Sequence, residues 1–325
     1  MNNPIHPNSD QPFAPKQSSI LIQKAGVQTT VQDLGRPSLR HLGISQAGAL
    51  DATSLILANK LLGNPEHCAG LEIVIGPLQI VFQRDTWFAL CGANFAAELD
   101  GKLVAKAWRH LALAGQTLYL QGARKEARAY LAVDGGIDVA LVLGARATDL
   151  QAGFGGHQGR ALRKDDVLAL GPPRHFKRSV GVLQRSWSPE IRAIRGPEFA
   201  QFNSCARKKF WQQAWRVSTQ SNRMAFRLEG DKLERENATE LLSHAVLPGV
   251  VQVPANGQPI VLLADCQTTG GYPRIATVIE ADLWKIAQTP IGQHFCFIEV
   301  DHNTAIAAKE KWQRELRRMD SMEYA

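Results

Sequence analysis

Most apolar positions in this chain fall in short runs separated by glycine and asparagine turns, which is the spacing of strands rather than helices. Strands are predicted over 71–75, 78–82, 87–90, 117–120, 129–133 and 260–264. Four stretches keep a helical period instead. Asp51 stands as an N-cap before a helix predicted over 53–62, and Gly63 supplies its stop. Further helices are predicted over 198–211, over 281–287 with Leu283 and Ile286 inward, and over 304–318. The last places Ala305, Ala308, Trp312, Leu316 and Met319 on one stripe. The order strand, Gly115-Gln116, strand, Asp134, Gly135-Gly136 returns as strand, Gly257-Gln258, strand, Asp265, Gly270-Gly271. This echo predicts two related β units, with a boundary in the Pro- and Arg-rich stretch 172–188.

At 325 residues the chain suits two domains. The expected division is a disordered tail at 1–18, one β-barrel domain at 19–175, a second at 176–303 and a helix at 304–325. With 45% hydrophobic and 21% charged residues, the composition is that of a folded globular protein. The most apolar window, 129–145, carries Asp134 and Asp138, so no membrane span is predicted. The tail holds four prolines and no apolar core, unlike a secretion signal. Five cysteines lie at least 23 residues apart with no CxxC pair, which predicts buried thiols in a reducing cytoplasm rather than disulfides or zinc.

Charge is uneven. Residues 174–235 carry 14 Lys and Arg against 5 Asp and Glu, while the rest of the chain is slightly acidic. Nucleic acid, an acidic partner, an anionic small ligand or a solvated helix face would each account for this. No nucleic-acid-binding signature accompanies the segment, so no nucleic-acid partner is expected.

The stretch 251–279 is richest in candidate chemistry. Asp265 ends a strand, and Gln267, Thr268, Thr269, Gly270, Gly271, Tyr272 and Arg274 follow within ten residues. Glycines let a ligand approach backbone N–H groups, threonines offer hydroxyls, tyrosine a flat wall, and arginine a fork for carboxylate or phosphate. Arg195, Arg223, Gln252 and Asn256 are expected to reach the same small-molecule pocket from neighbouring strands. Asp265 is suited to orienting or deprotonating a substrate nitrogen, or equally to capping amides of its own loop. A bulged β loop with a surface arginine has the same residue types. The glycine-rich run 153–160 lacks a Walker ending and is expected to be a loop bearing a basic residue.

Residues 268–292, TTGGYPRIATVIEADLWKIAQTPIG, resemble the closing signature of the KipA-like, biotin-dependent carboxyltransferase family, also called the allophanate hydrolase subunit 2 family. The resemblance extends from residue 20 to 300. It takes in Thr29 to Arg36, Ser45 to Asp51, Ala58 to Asn64, Leu71-Glu72, Gly76-Pro77, Gly135-Gly136-Ile137, Gly159-Arg160, Arg195-Gly196-Pro197 and the 252–276 block. The chain departs from the family pattern at Asn222, where an aspartate is usual, at Ala225, usually glycine, and at Ala145 and Ala147, usually serines. The resemblance implies a mainly β fold of two tandem cyclophilin-like barrels with a few covering helices. It also implies partnership with a KipI-like subunit and a LamB/YcsF-like subunit. The implied activity is the ATP-dependent opening of 5-oxo-L-proline to L-glutamate, with the ATP site shared between subunits. The alternatives it carries are carboxyl transfer from biotin to urea or a similar amide, and a non-catalytic regulatory subunit.

Overall fold

Strand Leu78–Phe82 shows how the N-terminal core is made. Leu78, Ile80 and Phe82 have no exposed surface, while Gln79 and Val81 on the other face keep some. In the computed structural model, which describes residues 18–236 and 241–320, this strand is central to a six-stranded antiparallel sheet. Its order is Val167–Ala169, Ser19–Ala25, Leu78–Phe82, Thr117–Leu120, Ala97–Leu99 and Lys102–Leu103. A five-stranded antiparallel sheet runs Gln28–Gln32, Gly70–Ile75, Ala129–Val133, Thr86–Gly92 and Arg109–Ala112. Both sheets feed one core that includes Ile20, Ile22, Leu71, Ile73, Phe82, Phe88, Leu118 and Leu131. The tail expected at 1–18 lies outside the described residues except for Ser18.

Four α-helices are present among the described residues: α1 (Ala52–Leu61), α2 (Ser204–Gln212), α3 (Leu283–Gln288) and α4 (His302–Asp320). Strand Ala129–Val133 is buried throughout, with α1 packed on its outer face and α4 packed in turn against α1. There Ala132, Ala89 and Cys91 meet Leu57, Ala58 and Leu61 of α1 and Leu316 of α4, with Trp312 and Met319 packed alongside. Asp51 caps α1 as expected, accepting the Ser54 N–H, and Gly63 follows with φ at 57°. The helix predicted over 198–211 is broken. A 3-10 turn at Phe199–Gln201 precedes Asn203, whose side chain accepts the Ala206 N–H and starts α2 afresh. Likewise Glu280–Asp282 is a 3-10 turn that leads into α3.

The C-terminal half closes into a seven-stranded barrel. The order is Glu190–Arg195, Arg274–Val278, Val250–Gln252, Ile260–Leu262, Ala225–Glu229, Trp215–Val217 and His294–Glu299. The last strand pairs in parallel with the first. Its core is aromatic, with Phe202, Phe210, Trp215, Phe226, Phe295 and Phe297 buried together. The chain thus has the mainly β architecture that the strand pattern predicts.

The sequence echo has one structural counterpart. Asp134 follows Ala129–Val133 and pairs with Arg84, at 3.2 Å; Asp265 follows Ile260–Leu262 and pairs with Arg223, at 2.9 Å. Each arginine stands two residues before the neighbouring antiparallel strand, Thr86–Gly92 or Ala225–Glu229. The Gly-Gln turns differ, because Gly115-Gln116 joins strands of different sheets and Gly257-Gln258 joins barrel neighbours. Between the two halves, residues Phe176, Val180 and Val182 pack against the N-terminal unit, and Val182 donates its N–H to Ala107 O at 2.9 Å.

Candidate functional site

Where the halves meet, the contact is ionic. Arg223, 5% exposed, donates from Nε and Nη2 to both oxygens of Asp265, at 2.9 Å each. Its Nη1 donates to Glu72 Oε1, and its Nη2 also reaches Gly48 O at 2.6 Å. Glu72 has no exposed surface. Its Oε2 accepts the Tyr130 hydroxyl at 2.7 Å and the Leu50 N–H at 2.9 Å, while Arg128 stands 3.8 Å from Oε1. The Tyr130 oxygen in turn accepts the Asp51 N–H. Gln288 of α3 donates to Asp51 Oδ2 at 2.7 Å and to Arg128 O at 2.9 Å. Residues 48–51, 72 and 128–130 come from the N-terminal half; 223, 265 and 288 come from the barrel.

Burial and pairing compete in this network. Burial pushes the Glu72 carboxyl up, but Arg223 and Arg128 outweigh it and hold the group below the ordinary carboxylate range. At Asp265 burial dominates over the same arginine, so its carboxyl lies above that range. Asp51 is also raised, by burial. Burial opposes the charge on Arg223, yet Glu72 and Asp265 more than compensate and hold it fully protonated.

The residues expected to share one pocket are distributed over three places. Asp265 and Arg223 belong to the junction network, where each holds the other, and Asp265 is neither a loop cap nor a free base. A second group lines a cleft of about 830 Å³, formed by residues 232–235, 253–257 and 271–273 together with Leu241. Asn256, Gly271 and Tyr272 belong to it. Gln252 is buried behind them and donates to Tyr272 O at 3.1 Å. Thr269–Gly270 pairs with His244–Ala245, and Gln267 and Thr268 are held by backbone contacts, Gln267 O to Arg40 and Thr268 O to the Val246 N–H.

The third place is the Arg274–Glu198 pair. Arg274 donates from Nε and Nη2 to the two Glu198 oxygens, at 2.8 and 2.7 Å, and its own N–H reaches Oε2 at 2.9 Å. The fork expected to meet a ligand is therefore filled by a carboxylate of the same chain. These bonds from Arg274, the largest influence on it, hold the Glu198 carboxyl below its usual range. Gly196 explains the close approach of the two segments: a Cβ there would lie 2.2 Å from Arg274 O. Arg195 is mostly exposed, pairs with Glu299 at 2.5 Å and lies over the Phe199 ring.

The departures from the family pattern occupy structural positions. Asn222 Oδ1 accepts the Met224 and Ala225 N–H groups, at 2.8 and 3.3 Å, a turn-closing role that needs no charge. Ala225 begins a strand and has no positive φ. Ala145 and Ala147 are buried, and Ala147 O accepts from Arg36 at 2.7 Å. Arg160 of the glycine-rich run is fixed on Asp166 by two bonds, at 2.7 and 2.8 Å. Part of the basic segment is similarly committed: Arg185, Arg192, Arg195, Lys209, Arg216 and Arg223 form ion pairs.

Glu72, Arg128, Tyr130, Asp51 and Gln288 were not singled out by sequence as site residues. The available signal was a carboxylate inside the apolar strand GLEIVI, since a charge buried in a strand requires a partner. The distance in sequence from Glu72 to Arg223 conceals the pairing.

The chain has clear relatives among known proteins. It is 48% identical over 296 residues to the C subunit of Escherichia coli 5-oxoprolinase, covering 91% of this chain and 96% of that one. The Haemophilus influenzae protein of the same name is 39% identical, covering 87% and 92%. The solved K. lactis urea amidolyase superposes with a TM-score of 0.89 at 26% identity, over 94% of this chain but 20% of that much longer one. Residues 42–299 match the model described as carboxyltransferase domain, subdomain A and B, and the chain belongs to that carboxyltransferase-domain family.

Proposed function

We propose that the chain is one subunit of an ATP-dependent 5-oxoprolinase, which opens 5-oxo-L-proline to L-glutamate with hydrolysis of ATP. The 48% identity spanning nearly the whole of a 5-oxoprolinase C subunit supports this reading above all else. Two further subunits, one KipI-like and one LamB/YcsF-like, complete the enzyme in this proposal, and the site is shared among them. The chemistry is consistent with that division. A lactam is a poor electrophile; phosphorylation of its carbonyl oxygen by ATP activates the ring carbon for addition of water, after which the ring C–N bond breaks to leave an acyl phosphate, and a second water releases phosphate. That reaction calls for a nucleotide, a substrate acid and a water-activating group, whereas the acids this chain places at its junction are already engaged by arginines. The test is reconstitution. The three subunits together should release glutamate and phosphate from 5-oxoproline and ATP, and this chain alone should release neither. Turnover by the isolated chain would refute the division of labour.

The likeness to urea amidolyase favours a second reading, carboxyl transfer from biotin to urea or a related amide. It is supported if the chain, supplied with carboxybiotin and urea, consumes the carboxyl group while the three-subunit mixture leaves 5-oxoproline intact.

A further inference from the structure

We propose that the exposed basic residues at 174–178, in the stretch between the two halves, form a docking strip for an acidic segment of a partner polypeptide, an inference that does not depend on the reaction proposed above. Arg174, His175, Lys177 and Arg178 are all exposed, while Phe176 among them is half-buried and packs inward. Its ring meets Trp87 edge-on with centroids 5.5 Å apart, and the Arg109 guanidinium lies 4.1 Å from its centre. The backbone on either side is tied to the N-terminal unit. The Arg174 N–H donates to Asp134 Oδ2 at 2.8 Å. Buried Arg109 donates from Nε to Arg178 O and from its own N–H to Val180 O, at 2.9 Å each. The strip is thus fixed by its backbone and by Phe176, and none of the four basic side chains makes an ion pair or hydrogen bond among the described residues. Carboxylates on neighbouring elements are engaged elsewhere: Asp134 pairs with Arg84, Glu66 with Lys60 and Glu315 with Arg185. Fixed, solvent-facing positive charge with no counter-charge of its own is what an acidic segment complements. The dimensions favour a peptide over a nucleic acid. Five residues of chain reach at most about 17 Å, the scale of a short peptide with several carboxylates. A duplex would run on past the strip onto a chain that is slightly acidic outside 174–235. The one aromatic ring of the strip is turned away from solvent and gives bases nothing to stack on.

The test is titration of the full chain with a fluorescent hexaglutamate peptide at about 50 mM salt, where surface charges are little screened. Wild type should bind it saturably, and hexaglutamine should not bind. Arg174→Gln, Lys177→Gln and Arg178→Gln together should weaken the peptide about tenfold or more, the combined scale of three exposed charge pairs. A control removes the same charge elsewhere, by Lys102→Gln, Arg124→Gln and Lys164→Gln at exposed positions. It should leave the affinity within about twofold of wild type. All six side chains are exposed, so both variants should keep the wild-type circular dichroism and melting point. Lys177→Gln alone, about threefold weaker than wild type, carries the comparison if the triple variant melts early. Absence of saturable peptide binding, or equal losses in the two triple variants, would overturn the proposal. So would a short DNA duplex that binds more tightly than the peptide and loses as much when the strip is changed, an outcome that gives the strip to nucleic acid.

Discussion

Replacing Arg223 with methionine tests whether the junction network holds the two halves together. The substitution keeps much of the side-chain length and deletes the two bonds to Asp265, the bond to Glu72 and the bond to Gly48 O. Two carboxylates, 0% and 5% exposed, would remain, with Arg128 at 3.8 Å from Glu72 as the remaining ion-pair partner among the described residues. Removing one member of a buried ion pair costs about 3–5 kcal/mol, because the other charge is left uncompensated. We expect a loss of that size in chemical denaturation near pH ~7.5. The pH dependence gives the sharper discrimination. In the wild type, the depressed Glu72 carboxyl contributes stability that is present above the ordinary carboxylate range and lost as pH falls through its folded value. The raised Asp265 carboxyl acts oppositely, its contribution being present at low pH and lost as pH rises. Without Arg223 both carboxyls are raised, and protonation relieves both. The difference between wild type and variant should therefore shrink between pH ~7.5 and pH ~5. A loss below about 1 kcal/mol, or one that is equal at both pH values, would refute the reasoning. A combined Glu72→Leu, Arg223→Met, Asp265→Leu variant should recover much of the stability lost by Arg223→Met alone, since no buried charge is then left unpaired.

Arg274→Lys should lower stability by about 1 kcal/mol, because an ammonium cannot fork onto both Glu198 oxygens, and denaturant midpoints measure it. Gly196→Ala should cost roughly 1–3 kcal/mol by pushing a methyl into the Arg274 carbonyl; an unshifted melting curve would contradict the close approach. Duplex DNA should bind weakly and lose affinity steeply with added salt, because Arg192, Lys209 and Arg216 of the basic segment are engaged by carboxylates of the same chain; retention of tight binding near physiological ionic strength in a filter assay would count against this.

The strands and the start of α1 were legible because they depend on neighbours in sequence. Alternation places Leu78, Ile80 and Phe82 inward, and Asp51 caps three residues ahead. The helix predicted over 198–211 exceeded the real one because Asn203 was counted within a helical run rather than as a cap. The candidate site was legible in composition and illegible in pairing. Tyr272, Asn256 and Gly271 do line a cleft, whereas Arg274 and Arg223 find carboxylates 76 and 151 positions away, at Glu198 and Glu72. An arginine in a glycine-rich loop has the same local sequence whether its partner is a ligand or a distant residue of its own chain.

The cover that α4 provides over the N-terminal sheet bears on the order in which the protein can be made. Leu316 closes the buried cluster that α1 forms with Ala89, Cys91 and Ala132 of the sheet, and Trp312 and Met319 pack beside it. On the ribosome this cluster waits through the synthesis of the entire barrel, covered by α1 and by Phe176, Val180 and Val182, until residues 302–320 emerge. Arg185, stacked 3.8 Å over Trp312 and paired with Glu315 at 3.0 Å, then fastens the late helix to the strand-free stretch between the halves. A stalled chain lacking α4 presents an incompletely covered apolar surface to chaperones, while a completed chain does not.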